Sequence, residues 1–283
     1  MQIVHSIADL RQILDQQRSA GKSIGLVPTM GALHGGHEKL MMAASEATDF
    51  SVGTIFVNPL QFAPDEDLDS YPRMVDEDAI VSERAGIDAL FVPSDREMYP
   101  QENWTTVSIR VITEPWEGSS RPTHFDGVAT VVSKYFGIVG ECTAFFGEKD
   151  YQQLAMLKRM ASDLNMAVTV VGVPTVREED GLAMSSRNLR LTTEHREQAP
   201  IVQQGLQAGA KLIEQGERDP AMVAATVADV IATAPDVSPP DYVAVVDADS
   251  LVTPEVLSGE IRLLTAVRFG DVRLIDNIGV TVS

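Results

Sequence analysis

The chain has 283 residues, of which 44% are hydrophobic and 22% are charged, a composition typical of globular proteins. This composition excludes a disordered chain and a fibrous repeat, and the length predicts two modest domains or one large α/β domain. Acidic residues (41) outnumber lysine and arginine (22), giving a net charge of −19. Nucleic acid and anionic membrane surfaces are therefore excluded as partners, because both require basic groups that face phosphate.

Other compositional features predict a soluble cytoplasmic protein. Cys142 is the only cysteine in the sequence, which rules out an intrachain disulfide. Residues 1–19 mix charged, polar and apolar side chains, so we expect no secretory signal there. No apolar run reaches the roughly 18 residues that a membrane span requires.

The first part of the chain predicts strands that alternate with helices. Repeated strand–helix–strand units imply a Rossmann-like parallel sheet with helices on both faces. An acidic loop, residues 65–67, separates two of these units. The predicted strands are residues 24–27, 50–57, 89–92, 106–112, 143–146 and 168–173, and the predicted helices are the segment after Gly36 and residues 75–85, 128–139 and 151–164.

The pattern changes near Arg177. Two long helices, residues 193–215 and 220–234, precede three short strands at residues 242–246, 261–267 and 273–276. Helices grouped before strands predict a smaller C-terminal α+β domain. We therefore expect one domain over residues 1–176 and a second over residues 177–283.

The glycine-rich segment 28–37 lies between the first predicted strand and a helix, where open parallel sheets bind ligands. Gly35 and Gly36 lack side chains and let a backbone approach phosphate, and the helix start offers N–H donors. His34 and His37, three residues apart, can face one ligand. A glycine-rich turn with two solvated histidines is the structural alternative. A metal site is the weaker interpretation, because no third ligand lies nearby.

A second polar segment, residues 145–153, also ends a predicted strand and opens a helix. Lys149 can bind phosphate there as a point charge. Asp150 can hold a ribose hydroxyl, or it can simply cap the helix that follows.

A third polar segment, residues 180–188, falls at the predicted domain boundary. Ser185 and Ser186 supply hydroxyls, and Arg187 suits bidentate contact with phosphate. An ordinary linker is the alternative. Two lesser segments, residues 56–62 and 121–125, contain Gln61 and a cationic pair, and each by itself is more often structural. The sequence contains no P-loop, no nucleophile elbow and no Gly-x-Gly-x-x-Gly fingerprint.

Taken together, these segments resemble the pantoate–β-alanine ligase (pantothenate synthetase) family over nearly the whole chain. The residues His34-Gly35-Gly36-His37 resemble the HIGH motif of the nucleotidyltransferase superfamily. Residues 184–187 resemble the KMSKS-like loop of the same superfamily. The resemblance rests on ordered motifs at residues 28–37, 56–62, 71–73, 121–125, 146–154, 171–176, 181–188 and 273–277.

The resemblance implies an ATP-dependent ligase that condenses D-pantoate with β-alanine and releases AMP and pyrophosphate. The pantoate carboxylate attacks the α-phosphorus to form pantoyl adenylate, and the amine of β-alanine then displaces AMP. Fixed donors aimed at the leaving pyrophosphate suit this chemistry, and no protein nucleophile is needed. Two alternatives stay open: another adenylate-forming ligase or nucleotidyltransferase of the superfamily, and a non-catalytic ATP-binding regulator.

The resemblance also implies roles for individual residues. Gln61 and Gln153 orient pantoate, and Gln61 also serves β-alanine. His37 is the proton donor. The catalytic set is His34, His37, Lys149, Ser185 and Ser186. The nucleotide is held by these residues together with Met30, Gly31, Gly147, Asp150, Val176, Met184 and Arg187, among which Asp150 takes the ribose.

Further implications of the resemblance concern a metal, the assembly and one departure from the family. Family members use Mg²⁺, and Glu77 and Asp78 match a region implicated in holding it, although a solvated helix face explains this pair nearly as well. The implied assembly is a homodimer, and the implied roles are an N-terminal ATP- and pantoate-binding domain and a C-terminal lid domain. Asp126 stands where many members carry a basic or small residue, and an acid there can weaken phosphate contacts of Arg121 and His124.

Overall fold

The structure is a computed structural model that describes residues 1–62, 68, 71–235 and 237–282. The chain divides into two compact units, Met1–Glu148 with Met156–Pro174, and Lys149–Ala155 with Thr175–Ser283. The predicted acidic loop at residues 65–67 lies outside the described residues. Within the described parts of the chain, no helix is long and apolar enough to span a membrane.

The first unit contains a six-stranded, all-parallel sheet, which confirms the predicted α/β class. Residues 151–155 of its last helix group with the second unit. In chain order the elements are β1 (Gln2–Val4), α1 (Ile7–Ser19), β2 (Ile24–Thr29), α2 (Gly35–Ala47), β3 (Phe50–Ile55), α3 (Val75–Arg84), β4 (Ala89–Phe91), α4 (Asp95–Met98), α5 (Glu117–Ser120), α6 (His124–Val139), β5 (Cys142–Gly147), α7 (Tyr151–Asp163) and β6 (Val168–Val173).

Helices cover both faces of this sheet, as the sequence predicts. A Cβ atom built on Gly53 of β3 would lie 3.5 Å from Met41 of α2. The side chain of the next residue, Thr54, lies beside that of Tyr135 in α6. Successive residues of a strand point to opposite faces, so α2 and α6 lie on opposite sides. Burial on both faces explains why β2 begins with an apolar run, residues 24–27. The two polar side chains of β3, Ser51 and Thr54, are buried and hydrogen-bonded.

The strand order, β1-β4-β3-β2-β5-β6, reverses direction at β2. Strands β2 and β5 are neighbours that pair Leu26 with Ala144, and both end three residues later, at Thr29 and Gly147. In open parallel sheets, the crevice beyond the carboxyl ends of strands at such a reversal binds ligands. The fold therefore puts the glycine-rich segment after β2 in the position where a ligand is expected.

The second unit contains an antiparallel sheet of order β7-β8-β9, which confirms the predicted α+β part. Its helices pack on that sheet through a core that includes Leu206, Val227 and Leu263. Its elements are α8 (Thr193–Gln198), α9 (Ile201–Glu214), α10 (Pro220–Ile231), β7 (Tyr242–Asp247), β8 (Gly259–Phe269) and β9 (Val272–Val282).

Two predicted elements are wrong. No strand forms over residues 106–112, where Val107 N–H donates to Thr130 Oγ1 of α6 (3.0 Å) instead of to a strand. Alternation of apolar residues favours an extended backbone, but a strand also needs a neighbouring strand to pair with. The predicted helix 193–215 is divided into α8 and α9 at Pro200, which has no N–H to continue the helical ladder.

Two helical glycines give opposite predictions for substitution by alanine. A Cβ on Gly209 of α9 would lie 2.5 Å from Val227 Cγ2 and 2.8 Å from Leu263 Cδ2, whereas a Cβ on Gly137 of α6 meets nothing within 4 Å. We expect Gly209→Ala to lower the free energy of unfolding by about 1–3 kcal/mol through overpacking. Gly137→Ala should raise it by up to ~1 kcal/mol, because alanine is the better helix former. Urea unfolding of both variants checks this, and equal shifts would contradict the close packing of α9.

Candidate active site

The segment after β2 forms a turn whose backbone has little freedom. Gly31 and Ala32 both have positive φ, +85° and +51°. A Cβ on Gly31 would lie only 2.8 Å from Asp78 Oδ2 and 3.0 Å from Ile55 Cγ2, so this position requires glycine. Thr29 Oγ1 donates to Thr54 O (2.6 Å) and accepts from Gly31 N–H (3.2 Å). The turn is thus tied to the neighbouring strand before it reaches the histidines.

Asp78 of α3 holds the same turn from the other side. Its Oδ2 accepts the N–H of Ala32 (2.9 Å) and its Oδ1 accepts the N–H of Leu33 (2.7 Å). The side chain is buried, with 2% exposure. A buried carboxylate is costly unless it is hydrogen-bonded, and these two donors supply that compensation. Asp78 is therefore a residue that fixes the turn.

The same geometry concerns the two residues that the resemblance assigns to Mg²⁺, Asp78 and Glu77. Both carboxylate oxygens of Asp78 already accept backbone N–H groups, whereas Glu77 is exposed on the first turn of α3. Among the residues that the structure describes, no three histidine, cysteine or acidic side chains gather to hold a metal. The assignment of this pair to Mg²⁺ stays a prediction from the resemblance.

His34 and His37 cap the start of α2. His34 Nδ1 accepts from Gly36 N–H (3.2 Å), and His37 Nδ1 accepts from His34 N–H (3.3 Å). The two half-buried rings have centroids 4.1 Å apart. A ring nitrogen that accepts carries no proton, so each neutral imidazole carries its proton on Nε2. The turn therefore presents two Nε2–H donors near the amino end of a helix.

Gln61 lies in a short 3₁₀ turn, Pro59–Gln61, that follows β3. Its Nε2 donates to Met30 Sδ (2.6 Å), and its Oε1 accepts from Asn58 Nδ2 (3.2 Å). The side chain is 7% exposed. The structure thus brings together Met30 and Gln61, which the resemblance assigns to the nucleotide and to pantoate.

Asn58 and Tyr99 support Gln61, and the sequence interpretation missed both. Asn58 is 1% exposed, accepts from the Tyr99 hydroxyl at 2.7 Å, and donates to Gly127 O at 3.1 Å as well as to Gln61. Burial raises the pKa of Tyr99, so its phenol stays protonated and donates. In the sequence, Asn58-Pro59 directly follows the predicted strand 50–57 and indicates its end. The available signal was a polar residue at the carboxyl end of a buried strand.

Arg121 and His124 also contact Gln61, but through its backbone. Arg121 Nη2 donates to Gln61 O at 3.4 Å, and His124 Nδ1 lies 3.1 Å from the same oxygen. A carbonyl oxygen only accepts, so His124 carries a proton on Nδ1. Nearby, a Cβ on Gly127 would lie 2.2 Å from Leu60 O, so helix α6 needs glycine there to approach the 3₁₀ turn.

The second unit gathers several of the other predicted residues. Residues 176–184 form a hairpin in which Met184 N–H donates to Val176 O (2.9 Å), so these two predicted residues are adjacent. Ser185 then caps the short 3₁₀ helix Ser186–Arg190. Lys149, Ser185 and Arg187 line one small cavity together with Asn188, Arg273 and Asp276.

The remaining predicted residues lie close to these elements along the chain. Gly147 ends β5 in the first unit. Asp150 follows Lys149 in the 3₁₀ turn Glu148–Asp150, where its Oδ1 lies 3.7 Å from Lys149 Nζ. Gln153 is half-buried in the first turn of α7.

Fold and site together define a class: a doubly wound α/β protein with a donor-lined turn at the carboxyl edge of its sheet. The family model for pantoate-beta-alanine ligase matches residues 2–279. This chain belongs to the pantoate-beta-alanine ligase family.

Relatives and solved structures agree over the full length. The pantothenate synthetases of Acetivibrio thermocellus and Heliobacterium modesticaldum are 46% and 48% identical, with 100% of both chains covered in each case. Pantothenate synthetase from Thermus thermophilus superposes with a TM-score of 0.91 at 43% identity, covering 98% of this chain and 99% of that one. Pantoate-beta-alanine ligase from Francisella tularensis, solved with beta-gamma ATP and beta-alanine, gives 0.80 at 31% identity, covering 98% and 97%.

Replacing Asp78 tests its role in the turn. An asparagine at 78 offers one acceptor oxygen and turns an NH₂ group toward a backbone donor, so Asp78→Asn should lower the free energy of unfolding by about 1–3 kcal/mol. The amide proton resonances of Ala32 and Leu33 should also move upfield, because they lose a charged acceptor. The matched control is Glu77→Gln, an exposed neighbour, which should stay within about 0.5 kcal/mol of the parent. Unchanged amide resonances in Asp78→Asn would contradict this role.

Proposed function

We propose that this protein uses ATP to join D-pantoate to β-alanine through pantoyl adenylate, with release of AMP and pyrophosphate. The observation that carries the proposal is the capped His34–His37 turn beside the Met30–Gln61 contact, at the reversal point of the sheet. Full-length membership of the ligase family supports the reaction class. The Francisella tularensis relative, solved with beta-gamma ATP and beta-alanine, supports the two co-substrates.

The histidine turn suits the first half-reaction. When a carboxylate attacks the α-phosphorus, negative charge grows on the leaving pyrophosphate. Donors that are fixed before the reaction stabilise that charge without reorganisation. His34 and His37 are fixed through Nδ1, which leaves Nε2–H as the donating side, and His37 is the proposed proton donor.

Gln61 suits the placement of the acid substrate. Its side chain is held by Met30 and Asn58, and its carbonyl by Arg121 and His124. Because the Gln61 amide is already held in place, it loses little conformational freedom when substrate binds. Its NH₂ group and oxygen can recognise the donors and acceptors of a hydroxy acid. We propose that Gln61 orients pantoate and then β-alanine, and that Gln153 shares the first task.

The second unit supplies the other proposed nucleotide contacts. Lys149, Ser185 and Arg187 are neighbours around one small cavity, and we propose that they contact phosphate together. Ser186 is proposed for the same role. Asp150 is proposed for the ribose. Met30, Gly31, Gly147, Val176 and Met184 are proposed to line the nucleotide pocket. In this proposal the N-terminal domain, residues 1–176, binds ATP and pantoate, and residues 177–283 form the lid domain.

Mg²⁺ belongs to the proposal only as the ion that accompanies ATP, where it would neutralise part of the triphosphate charge. That Glu77 and Asp78 help to hold this ion stays a prediction from the resemblance. A cytoplasmic location likewise stays an expectation from the sequence.

Pantoate-dependent exchange of labelled pyrophosphate into ATP tests the function. The proposal requires exchange with D-pantoate and, on addition of β-alanine, formation of pantothenate. Exchange driven by a different acid would favour another adenylate-forming enzyme of the superfamily. ATP binding without exchange would favour a non-catalytic regulator and overturn the proposal.

Two substitutions at His37 separate its structural role from its chemical role. His37→Asn keeps an acceptor near the Nδ1 position for His34 N–H but removes the Nε2 donor, whereas His37→Gln keeps an amide near the Nε2 position. We expect His37→Asn to stay folded and to lose adenylate formation by about 10²–10³-fold, the usual effect of removing one such donor. His37→Gln should retain more activity. The control is His5→Ala, a histidine that contacts Val92 O in the first unit. Near-normal exchange by His37→Asn would contradict the role.

We also propose that two copies of the chain form a homodimer through residues 102–112. This segment pairs with no strand in the described part of the chain, and it exposes Trp104 (88%) and Val111 (60%). Exposed aromatic and apolar side chains are typical of surfaces that associate.

The oligomeric state tests the dimer. Light scattering should give twice the chain mass for the parent protein and a shift toward monomer for Trp104→Ser, because the largest exposed apolar side chain of the segment would be removed. Val256→Ser, at an apolar side chain of 64% exposure in the second unit, is the matched control and should stay dimeric. A monomeric parent protein would refute the proposal.

A further inference from the structure

Two adjacent residues of β9, Asp276 and Asn277, are buried polar groups that no proposed step of the reaction uses. Their exposures are 5% and 2%. Buried polar side chains are usually hydrogen-bonded, and the partners of Asp276 and Asn277 show what each residue holds in place. Each holds a different segment of the second unit that is proposed to contact ATP.

Asp276 holds the hairpin that leads into Ser185. Arg177 donates to both carboxylate oxygens, from Nη1 to Oδ2 (2.7 Å) and from Nη2 to Oδ1 (3.0 Å). Arg177 Nη1 also donates to Gly181 O at 3.0 Å, across the hairpin 176–184. A bidentate ion pair fixes both distance and plane. The hairpin is therefore fixed to strand β9 at the point where the serines begin.

Asn277 holds the backbone of Lys149. Its Nδ2 donates to Lys149 O at 2.9 Å, and its Oδ1 accepts from Arg262 Nε at 2.7 Å. The Arg262 guanidinium in turn lies 4.0 Å from the ring centroid of Tyr151, two residues after Lys149. Asn277 therefore fixes Lys149 and the start of α7 to strand β9. The neighbouring residue on the same strand, Asp276, fixes the hairpin.

We propose that Asp276 and Asn277 are positioning residues for adenylate formation. Asp276 and Asn277 are consecutive on β9, so Lys149 and the 185–187 segment are attached to the same strand. The distance between these two segments is therefore set before ATP binds. A phosphate needs both donors at fixed distances, and small misplacements of such groups cost large factors in rate. This inference rests on the proposed function, since it assigns the phosphate as the ligand of Lys149 and Ser185.

Asn277→Asp is the most selective variant. It keeps an acceptor for Arg262 and leaves the Arg177–Asp276 pair intact, but it replaces the donor to Lys149 O with a carboxylate oxygen. Asn277→Ser removes the same donor without adding charge and serves if the aspartate variant does not fold. Thr281→Ala is the control on the same strand, where the hydroxyl donates to Glu260 at the surface.

Pyrophosphate exchange at saturating pantoate, with ATP varied, tests the inference. We expect Asn277→Asp and Asn277→Ser to raise the KM for ATP and to lower kcat/KM by roughly 10–100-fold, with thermal unfolding still above the assay temperature. Thr281→Ala should match the parent. A variant that loses thermal stability while KM and the rate per folded molecule stay at the parent values would overturn the inference, because that pattern marks a purely structural role.

A double-variant cycle identifies the route through which Asn277 acts. If Asn277 acts through Lys149, Lys149→Ala with Asn277→Asp should exchange no more slowly than Lys149→Ala alone, since coupled residues are not additive. Fully additive losses would overturn the inference. A parent protein that shows no pantoate-dependent exchange would instead refute the proposed function, so the two failures are distinguishable.

Discussion

The proposed chemistry of the first unit depends on one constraint, the pair of hydrogen bonds from the backbone of Ala32 and Leu33 to Asp78. Positive φ at a non-glycine residue is unfavourable, and a buried acceptor that takes two consecutive N–H groups compensates for it. That compensation lets the chain leave β2 and reach the start of α2 in only a few residues. The histidine pair gains its fixed orientation from this short connection and from its own capping bonds.

The two units use similar devices to fix their donors. In the first unit, the Asp78 side chain of α3 holds the backbone of the turn at Ala32 and Leu33. In the second, Asp276 and Asn277 of a strand hold a hairpin and the Lys149 carbonyl. In both, a buried polar group is satisfied by partners on a loop, which fixes that loop more tightly than exposed contacts do. Donors of this kind are suited to anionic ligands even in a chain whose net charge is −19, because short-range hydrogen bonds outweigh the screened field of distant surface acids.

The strand–helix alternation and the apolar periodicity of the sequence were enough to predict the α/β class and most element positions. The errors share a physical cause. Residues 106–112 have a strand pattern, but pairing depends on a partner far along the chain. The length of helix 193–215 was set by periodicity, although a single proline at 200 interrupts the hydrogen bonds. The interpretation of the sequence missed the short strand β1 and also helix α1, although Ser6 caps this helix and Leu10 and Leu14 lie at helical spacing.

For the site, the sequence by itself determined which residue types follow the buried strands: a His-Gly-Gly-His turn, a glutamine, a lysine and a Ser-Ser-Arg segment. Local spacing carries that information, because strand ends and helix starts are local features. Only the tertiary structure decided that Asp78 fixes a turn 45 residues earlier in the chain. It also decided that Asn58 and Tyr99 support Gln61, and that Asn277 holds Lys149. Most of these contacts join residues far apart in sequence, so no local pattern encodes them.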